Sequence, residues 1–428
     1  MTKITVRFVT LGCKTNMYES EAMAELFRQS GHEIVYDNRI PADVCVINTC
    51  TVTGTGAGKS RQAIRRAKRQ NPGAVVAVTG CFAQTEPEAV REIGADIIIG
   101  SSGRGRIVEL AEQAAAGKRS DIVSDIMAVR EYEELPITVG QSRVRANIKI
   151  EDGCDNFCAY CVIPYARGPV RSRDLKNIIA EAESLAEHGY KEIVLTGIHI
   201  GSYGKDLKNA SLIDVMEALD NVRGIERIRL GSIEPPVITA EFAERAAQLN
   251  RLCPQFHMSL QSGCGATLER MNRRYTPAEY MEAVETLRSK IPDTAITTDL
   301  MVGFPGETDE EFEESYEFCE KIGFMQMHIF KYSIRSGTRA EKMPNQVSEQ
   351  VKDERSGRML ELAERLKREY YEQYNGKTVS ALLEQRNADG VYHGTTPNYM
   401  DVYVKAEANM EGETVNVNFS ADGESCIV

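Results

Sequence analysis

Short runs of β-branched residues alternate with helical stretches from Lys3 to about Ala116. ITVRFVTLG, DVCVIN and AVVAVTG read as strands, and Ser20 to Ser30 and Ser60 to Gln70 as the helices between them. That alternation predicts a parallel sheet flanked by helices, whose ligands gather beyond the carboxyl ends of the strands. A polar stretch over 119–142, with Glu131 to Glu134 and Pro136, predicts a linker. A second series starts at RANIKIEDG and continues through EIVLTG, RIRLGS, FHMSLQ, AITTDLMVG and MQMHIFKYS. Six strand signals are too few for a closed eight-stranded barrel, so a partial (β/α)6 barrel is expected over 143–374. The end of that span, from about Val347 to Tyr374, is a charged helical pattern. After Asn375-Gly376 the strands TVSALLEQ, VYHGT, DVYVKA and TVNVNFS predict a small β-barrel over 375–428. The expectation is an α/β chain of three units, 1–118, 143–374 and 375–428.

Composition narrows the class. With 428 residues, 42% of them hydrophobic, the chain can bury ordinary cores. Its longest apolar runs, such as Ala74 to Val78, fall far below the about 18 residues of a spanning helix. MTKITVRFVTLGC has no basic segment followed by an apolar one, so a soluble, cytoplasmic protein is expected. The net charge of -12 argues against an indiscriminate nucleic-acid binder and confines any RNA contact to a local patch. Eleven cysteines in a reducing compartment point to metal or redox work rather than disulfides.

Six of those cysteines form two sets of three. Cys154, Cys158 and Cys161 lie in one loop, GCDNFCAYC. Cys13, Cys50 and Cys81 are dispersed, and each follows a predicted strand, in LGCKTNMYES, NTCTVT and TGCFAQ. A 4Fe–4S cubane held by three thiolates keeps one iron open to another ligand, so two triads imply two reactive clusters. Zinc is the competing reading of the tight loop, but its usual second C-x2-C or His pair does not follow. Isolated thiols can also be buried small hydrophobes. The Gly, Thr and Asn turns around the dispersed three favour ligands, whereas Cys45, Cys253, Cys264, Cys319 and Cys426 read as structural.

The spacing of GCDNFCAYC resembles the radical S-adenosylmethionine (radical SAM) superfamily. The resemblance implies that SAM chelates the open iron and is cleaved by one electron to a 5′-deoxyadenosyl radical. Tyr160 could pack beside that ligand. Thr196 and Gly197 in LTGIH, Ser232 and Glu234 in GSIEPP, and Gln261 and Ser262 in SLQSG are candidate SAM contacts at strand ends. The same glycines could instead merely permit tight turns.

Over essentially the whole chain the motifs resemble the radical SAM methylthiotransferases. They are GCKTN, NTC and GC-x-AQ, then IEDGCDNFCAYCVIPYARGPVRSR, then LQSG, TTDLMVGFPGET and YSIRSGTRA. LGCKTN with NTCTVT is similar to the branch acting on tRNA that carries N6-threonylcarbamoyladenosine. The resemblance implies an auxiliary-cluster domain before the radical SAM core and a TRAM domain after it. It also implies a tRNA anticodon stem-loop as substrate, a flavodoxin- or ferredoxin-like electron donor, and two SAM molecules. One would methylate a sulfur on the Cys13, Cys50 and Cys81 cluster, and the other would supply the radical. Isopentenyladenosine tRNA, a ribosomal protein aspartate, and a noncatalytic iron–sulfur RNA-binding role are the alternatives.

Several further positions carry expectations. GTGAGKS looks like a phosphate loop, but that motif needs Gly where Thr53 stands. Lys59, Arg61, Arg65, Arg66 and Arg69 on the following helix are either a solvated face or a phosphate contact. Arg167, Arg171 and Arg173 are further candidates for RNA or SAM contact, and Arg335 for a carboxylate of SAM or of the threonyl group. The last unit has three basic residues against eight acidic ones, so RNA contact there would rest on bases stacking on Tyr392, Tyr399 or Tyr403. His188 reads as a helix end, and His257 and His328 as strand residues that could face the barrel interior.

Overall fold

The computed structural model describes residues 3–37, 40–52, 54–135, 144–208 and 210–428. Thr53 and the part of the expected linker from 136 to 142 lie outside the described residues. The N-terminal strands are β1 (Thr5–Thr10), β2 (Glu33–Ile34), β3 (Val44–Thr49), β4 (Val75–Gly80), β5 (Ile97–Ile98) and β6 (Ser120–Asp121). They form one parallel sheet in the order β2-β1-β3-β4-β5-β6. Between them run α1 (Lys14–Gln29), α2 (Gly54–Gln70), α3 (Cys81–Thr85), α4 (Pro87–Ile93) and α5 (Ile107–Ala115).

Every residue of β3 is buried, because both faces of the sheet are covered. Val44 and Val46 pack with Met23 and Phe27 of α1 and Leu110 of α5. Cys45 and Ile47 pack with Ala57 and Ile64 of α2, so Cys45 is a core residue. The stretch read as linker is partly structural. Its residues Ser120 and Asp121 make the edge strand, and Leu135 packs against Tyr18 and Ala22. A two-residue strand carries no legible alternation, which is why the pattern read as loop.

The second body contains β7 (Arg145–Lys149), β8 (Glu151–Asp152), α6 (Ile163–Arg167), β9 (Arg171–Ser172), α7 (Leu175–Glu187), β10 (Glu192–Thr196), α8 (Leu212–Asp220), β11 (Arg227–Leu230), β12 (Ser232–Ile233), α9 (Ala240–Ala246), β13 (Gln255–Met258), α10 (Gly265–Arg270), α11 (Pro277–Lys290), β14 (Ala295–Val302), α12 (Asp309–Ile322), β15 (Gln326–Lys331) and α13 (Glu349–Glu372). β7, β10 and β11 pair in parallel, and β12 to β15 do the same. Only Gly231 separates β11 from β12, so the two sheets continue as the expected partial six-stranded barrel. The helices bury Ile178, Met216, Phe242, Tyr280, Phe312 and Met359 against its outer face. His188 caps α7, its Nδ1 2.7 Å from Ser184 O.

The last strands, β16 (Thr378–Arg386), β17 (Val391–Thr395), β18 (Asp401–Lys405), β19 (Thr414–Asn418) and β20 (Cys426–Ile427), form an antiparallel sheet. It curls until Val404 bridges Ser425. This sheet plugs the amino end of the barrel. Arg227 donates to Thr395 O at 2.7 Å, and Arg229 to Pro397 O at 3.0 Å while lying 4.7 Å above the Tyr399 ring. The N-terminal body covers the opposite end, where Thr15 Oγ1 donates to Gly197 O at 3.1 Å. No helix among the described residues is long and apolar enough to cross a membrane.

Candidate active site

The compact thiol loop is shaped by backbone demands at its start. Gly153 has φ +90, and a Cβ there would lie 2.0 Å from Pro169 O, so the chain can turn from β8 into the loop only with glycine. Cys154 N donates to Gly168 O at 3.0 Å, Ala159 N to Met271 O at 2.8 Å and Cys161 N to Cys158 O at 2.9 Å. Burial pushes the Cys154 and Cys161 thiols up to about 12, and the neighbouring thiols of the loop add to the rise. Cys154 and Cys161 therefore stay protonated at neutral pH unless a bound metal takes the place of the protons. Arg273, which spacing alone does not single out, donates to Cys158 Sγ at 3.4 Å and pairs with Glu234 at 2.9 Å.

The dispersed triad meets at the carboxyl ends of three adjacent strands. Cys13 precedes α1, Cys50 follows β3, and Cys81 opens α3 directly after β4. Asn16 Nδ2 donates to Leu11 O at 2.6 Å and Thr49 O at 3.0 Å, tying the first two turns together. Ser60 does the same for the Cys50 turn. Its Oγ accepts from Cys50 N at 3.1 Å and donates to Cys50 O at 2.9 Å. The serine of the GAGKS string is therefore a clamp on a thiol turn, buried and fully engaged. Burial pushes the Cys81 thiol up to about 11, against the opposing pull of Arg167, whose Nε donates to Cys81 Sγ at 3.1 Å. Burial is the main cause that raises Cys50, Cys81 and Cys161, and the Cys13 thiol adds to it at the first two and the Cys81 thiol at the third. The two triads thus lie within electrostatic reach of each other.

Both thiol sets fit 4Fe–4S clusters. All the donors are sulfur, and glycines with positive φ directly precede Cys13, Cys81 and Cys154. At Gly12, φ is +105 and a Cβ would stand 2.9 Å from Cys50 Cβ and 3.0 Å from its Sγ. Gly12→Ala is expected to displace Cys50, cost about 1–3 kcal/mol in backbone strain, and remove most iron from the dispersed triad. Iron assay of the purified variant checks this, and full iron content would refute it.

A cavity of about 490 Å³ runs into the barrel between the two bodies. Cys13, Lys14 and Thr15 line it from the N-terminal body; Thr196, Gly197 and Ser232 from the carboxyl ends of β10 and β11; His257, Asp299 and His328 from within β13, β14 and β15; and Tyr399 from the plug. His257 and His328 do face the interior, their rings 5.9 Å apart. Glu234 is held by Arg273, by Asn156 at 3.1 Å and by His199 at 3.2 Å; although burial opposes it, these partners draw its carboxyl down to about 2. Tyr160 packs edge-on against Phe304 at 6.3 Å. Gln261 sits at φ +65 and links β14 through Asp299 O and Met301 N, and Ser262 is buried with its Oγ accepting from Cys264 N.

Several sequence expectations are corrected. Arg167, Arg171 and Arg173 are completely or almost completely buried and offer no surface to RNA. They pair with Glu19, Asp152, Glu134 and Glu181 at the seam between the two bodies. Arg335 reaches Thr51 and, at 2.8 Å, Glu86, so its charge is spent on the N-terminal body rather than left for a ligand's carboxylate. On α2, Lys59, Arg65, Arg66 and Arg69 are exposed, whereas Arg61 pairs with Glu86 at 2.5 Å and stacks on Phe82. Tyr392 is core and Tyr399 lies under Arg229, while Tyr403 is 48% exposed. It lines a second cleft, of about 670 Å³, with Lys367 and Arg368 of α13. Counting charges from Lys377 onward misses those two cations because they belong to the preceding helix.

A family model described as the radical SAM superfamily matches residues 148–319, and one described as uncharacterized protein family UPF0004 matches residues 5–100. The radical S-adenosylmethionine methyltransferase TsrM from Kitasatospora setae, solved with cobalamin and a [4Fe-4S] cluster, superposes with a TM-score of 0.59 over 92% of this chain and 77% of that one. At 16% identity it speaks to the fold alone. Barrel, thiol loop and family model together define a radical SAM enzyme. The threonylcarbamoyladenosine tRNA methylthiotransferase MtaB of Bacillus subtilis is 44% identical over 98% of this chain and 94% of its own length. The protein of the same name from Thermotoga maritima is 37% identical over 99% and 96%. The tRNA-2-methylthio-N(6)-dimethylallyladenosine synthase of Thermoanaerobacter sp. is 36% identical over 96% and 89%. The chain belongs to the radical SAM methylthiotransferase family, and its cofactors are S-adenosylmethionine and 4Fe–4S clusters.

Proposed function

We propose that this enzyme replaces the carbon 2 hydrogen of N6-threonylcarbamoyladenosine, at position 37 of tRNA, with a methylthio group. The observation that carries the reading is the shared cavity. Cys13 stands on one wall and the expected SAM contacts Thr196, Gly197 and Ser232 on another, so a sulfur held at Cys13 would face the space those residues border. An aromatic C–H is neither acidic nor readily attacked by nucleophiles, which makes radical chemistry the fitting route. Bound at the two triads, the clusters with two SAM molecules would supply the radical and the methylated sulfur.

This chain's own residues hold and enclose those groups. Cys154, Cys158 and Cys161 would bind the SAM-cleaving cluster and Cys13, Cys50 and Cys81 the sulfur-delivering one. Tyr160, Thr196, Gly197, Ser232, Gln261 and Ser262 would border SAM, with Glu234 reaching it through the Arg273 and Asn156 network. The C-terminal plug and the N-terminal cover would keep bulk water from the radical. Lys14 lines the same cavity beside Cys13, where its ammonium would complement the threonyl carboxylate, a charge that burial and the nearby Arg145 and Arg229 oppose until such an anion binds. Exposed Lys59, Arg65, Arg66 and Arg69 suit the phosphates of an anticodon stem-loop, whereas the cleft of Arg368 and Tyr403, which five carboxylates also line, would offer a base only the Tyr403 ring. In this reading 1–118 is the auxiliary-cluster unit, 143–374 the radical unit and 375–428 a TRAM-like unit. A cytoplasmic flavodoxin or ferredoxin would supply electrons.

Nucleoside mass analysis of tRNA from a deletion strain tests the assignment. The methylthio derivative should vanish while N6-threonylcarbamoyladenosine itself persists. Unchanged levels would sink it, and loss of methylthio-isopentenyladenosine instead would move the substrate to the other tRNA.

A further inference from the structure

Arg167 is the last residue of α6, six positions beyond Cys161, and its side chain crosses into the N-terminal body. None of its surface is exposed. Nη1 pairs with Glu19 and lies 3.4 Å from Asp152, and Nη2 donates to Asn16 Oδ1 at 2.7 Å and Glu19 Oε2 at 3.1 Å. A guanidinium is a rigid planar fork, so fixing both outer nitrogens aims Nε at one place. That place is Cys81 Sγ, 3.1 Å away.

The charge around it is unbalanced. Arg104, Lys149, Arg167 and Arg171 are buried against Glu19 and Asp152, with Glu133 on Arg104 at the edge and the buried Glu151 turned to the Ile198 and His199 amides instead of to an arginine. Buried cations in excess call for an anion nearby, and a cluster on three thiolates would be one.

We propose that Arg167 is a positioning residue that raises the reduction potential of the cluster at Cys13, Cys50 and Cys81 and pins that cluster to the radical SAM loop. An N–H donated to a ligating sulfur, backed by net positive charge, stabilises the more anionic reduced state. Glu19 opposes it by neutralising the guanidinium. The inference rests on the assignment of that triad to a cluster.

The test uses the full chain with Cys154, Cys158 and Cys161 changed to alanine, so that any remaining cluster is the auxiliary one, followed by potentiometric titration under electron paramagnetic resonance. Arg167→Lys keeps the charge but loses the fork, and should lower the midpoint potential with iron retained. Glu19→Gln leaves the guanidinium less neutralised and should raise it. Opposite shifts are what a merely structural role would not give. Equal midpoints in both variants, at full iron, overturn the proposal. If Arg167→Lys holds no iron, Glu19→Gln decides alone, an unchanged or lowered midpoint being the refutation. If the parent triple-alanine chain itself holds no iron, the triad assignment fails, and the inference with it.

Discussion

Changing Cys13, Cys50 and Cys81 together to alanine lowers iron from about eight to about four per chain, abolishes methylthiolation, and leaves dithionite-driven release of 5′-deoxyadenosine in place. The three thiols belong to turns of the N-terminal sheet, and the compact loop is built from its own glycine turn and backbone bonds to Gly168 and Met271. Each triad should therefore assemble without the other. The converse variant, with alanine at Cys154, Cys158 and Cys161, should retain about four irons and release no 5′-deoxyadenosine. Iron and sulfide assays with product chromatography read both arms. Iron that stays near eight in the first variant would mean that the dispersed thiols are not ligands.

The second large effect lies at the seam. Glu19 is buried between Arg104 at 2.5 Å, Lys149 at 2.8 Å and Arg167. Removing one partner from a buried ion pair leaves the other uncompensated, at about 3–5 kcal/mol, and Glu19→Ala takes one carboxylate from three cations at once, leaving them only Glu133 and Asp152. Denaturant unfolding at neutral pH should show that loss, and an effect below about 1 kcal/mol, the worth of a surface pair, would show that water reaches the seam. The pH dependence has a definite sign. Burial alone would raise the Glu19 carboxyl, but Arg104, Arg167 and Lys149 outweigh it and hold it well below the usual range. A depressed carboxylate contributes stability above its unfolded value, about 4.3, and loses it as pH falls through the folded value. The gap between wild type and Glu19→Gln should therefore be full at neutral pH and shrink on acidification below about 4.3.

Legibility in the sequence followed the range of the interaction. The Cys154, Cys158 and Cys161 loop, the thiols at the ends of β1, β3 and β4, and the core position of Cys45 are written in spacing or alternation over fewer than about ten residues. The arginines are illegible for the opposite reason. Arg167 meets Asn16, Glu19 and Cys81, and Arg335 meets Thr51 and Glu86. A cationic side chain looks solvent-facing until its carboxylate arrives from another part of the chain. Arg273 and Ser60 carry no signal in the sequence because a thiol's hydrogen-bond partner has no period.

By itself the chain determined two thiol triads, two strand–helix series and a terminal β-rich segment, since backbone propensity, turn glycines and ligand spacing are local properties. Only the tertiary structure decided that Cys81 and Cys161 lie within electrostatic reach, that Cys13 borders the barrel cavity, that the acidic terminal sheet plugs the barrel, and that the basic run after the compact loop is a buried seam. Those outcomes depend on desolvation and charge pairing between distant segments, which exist only once the segments are packed together.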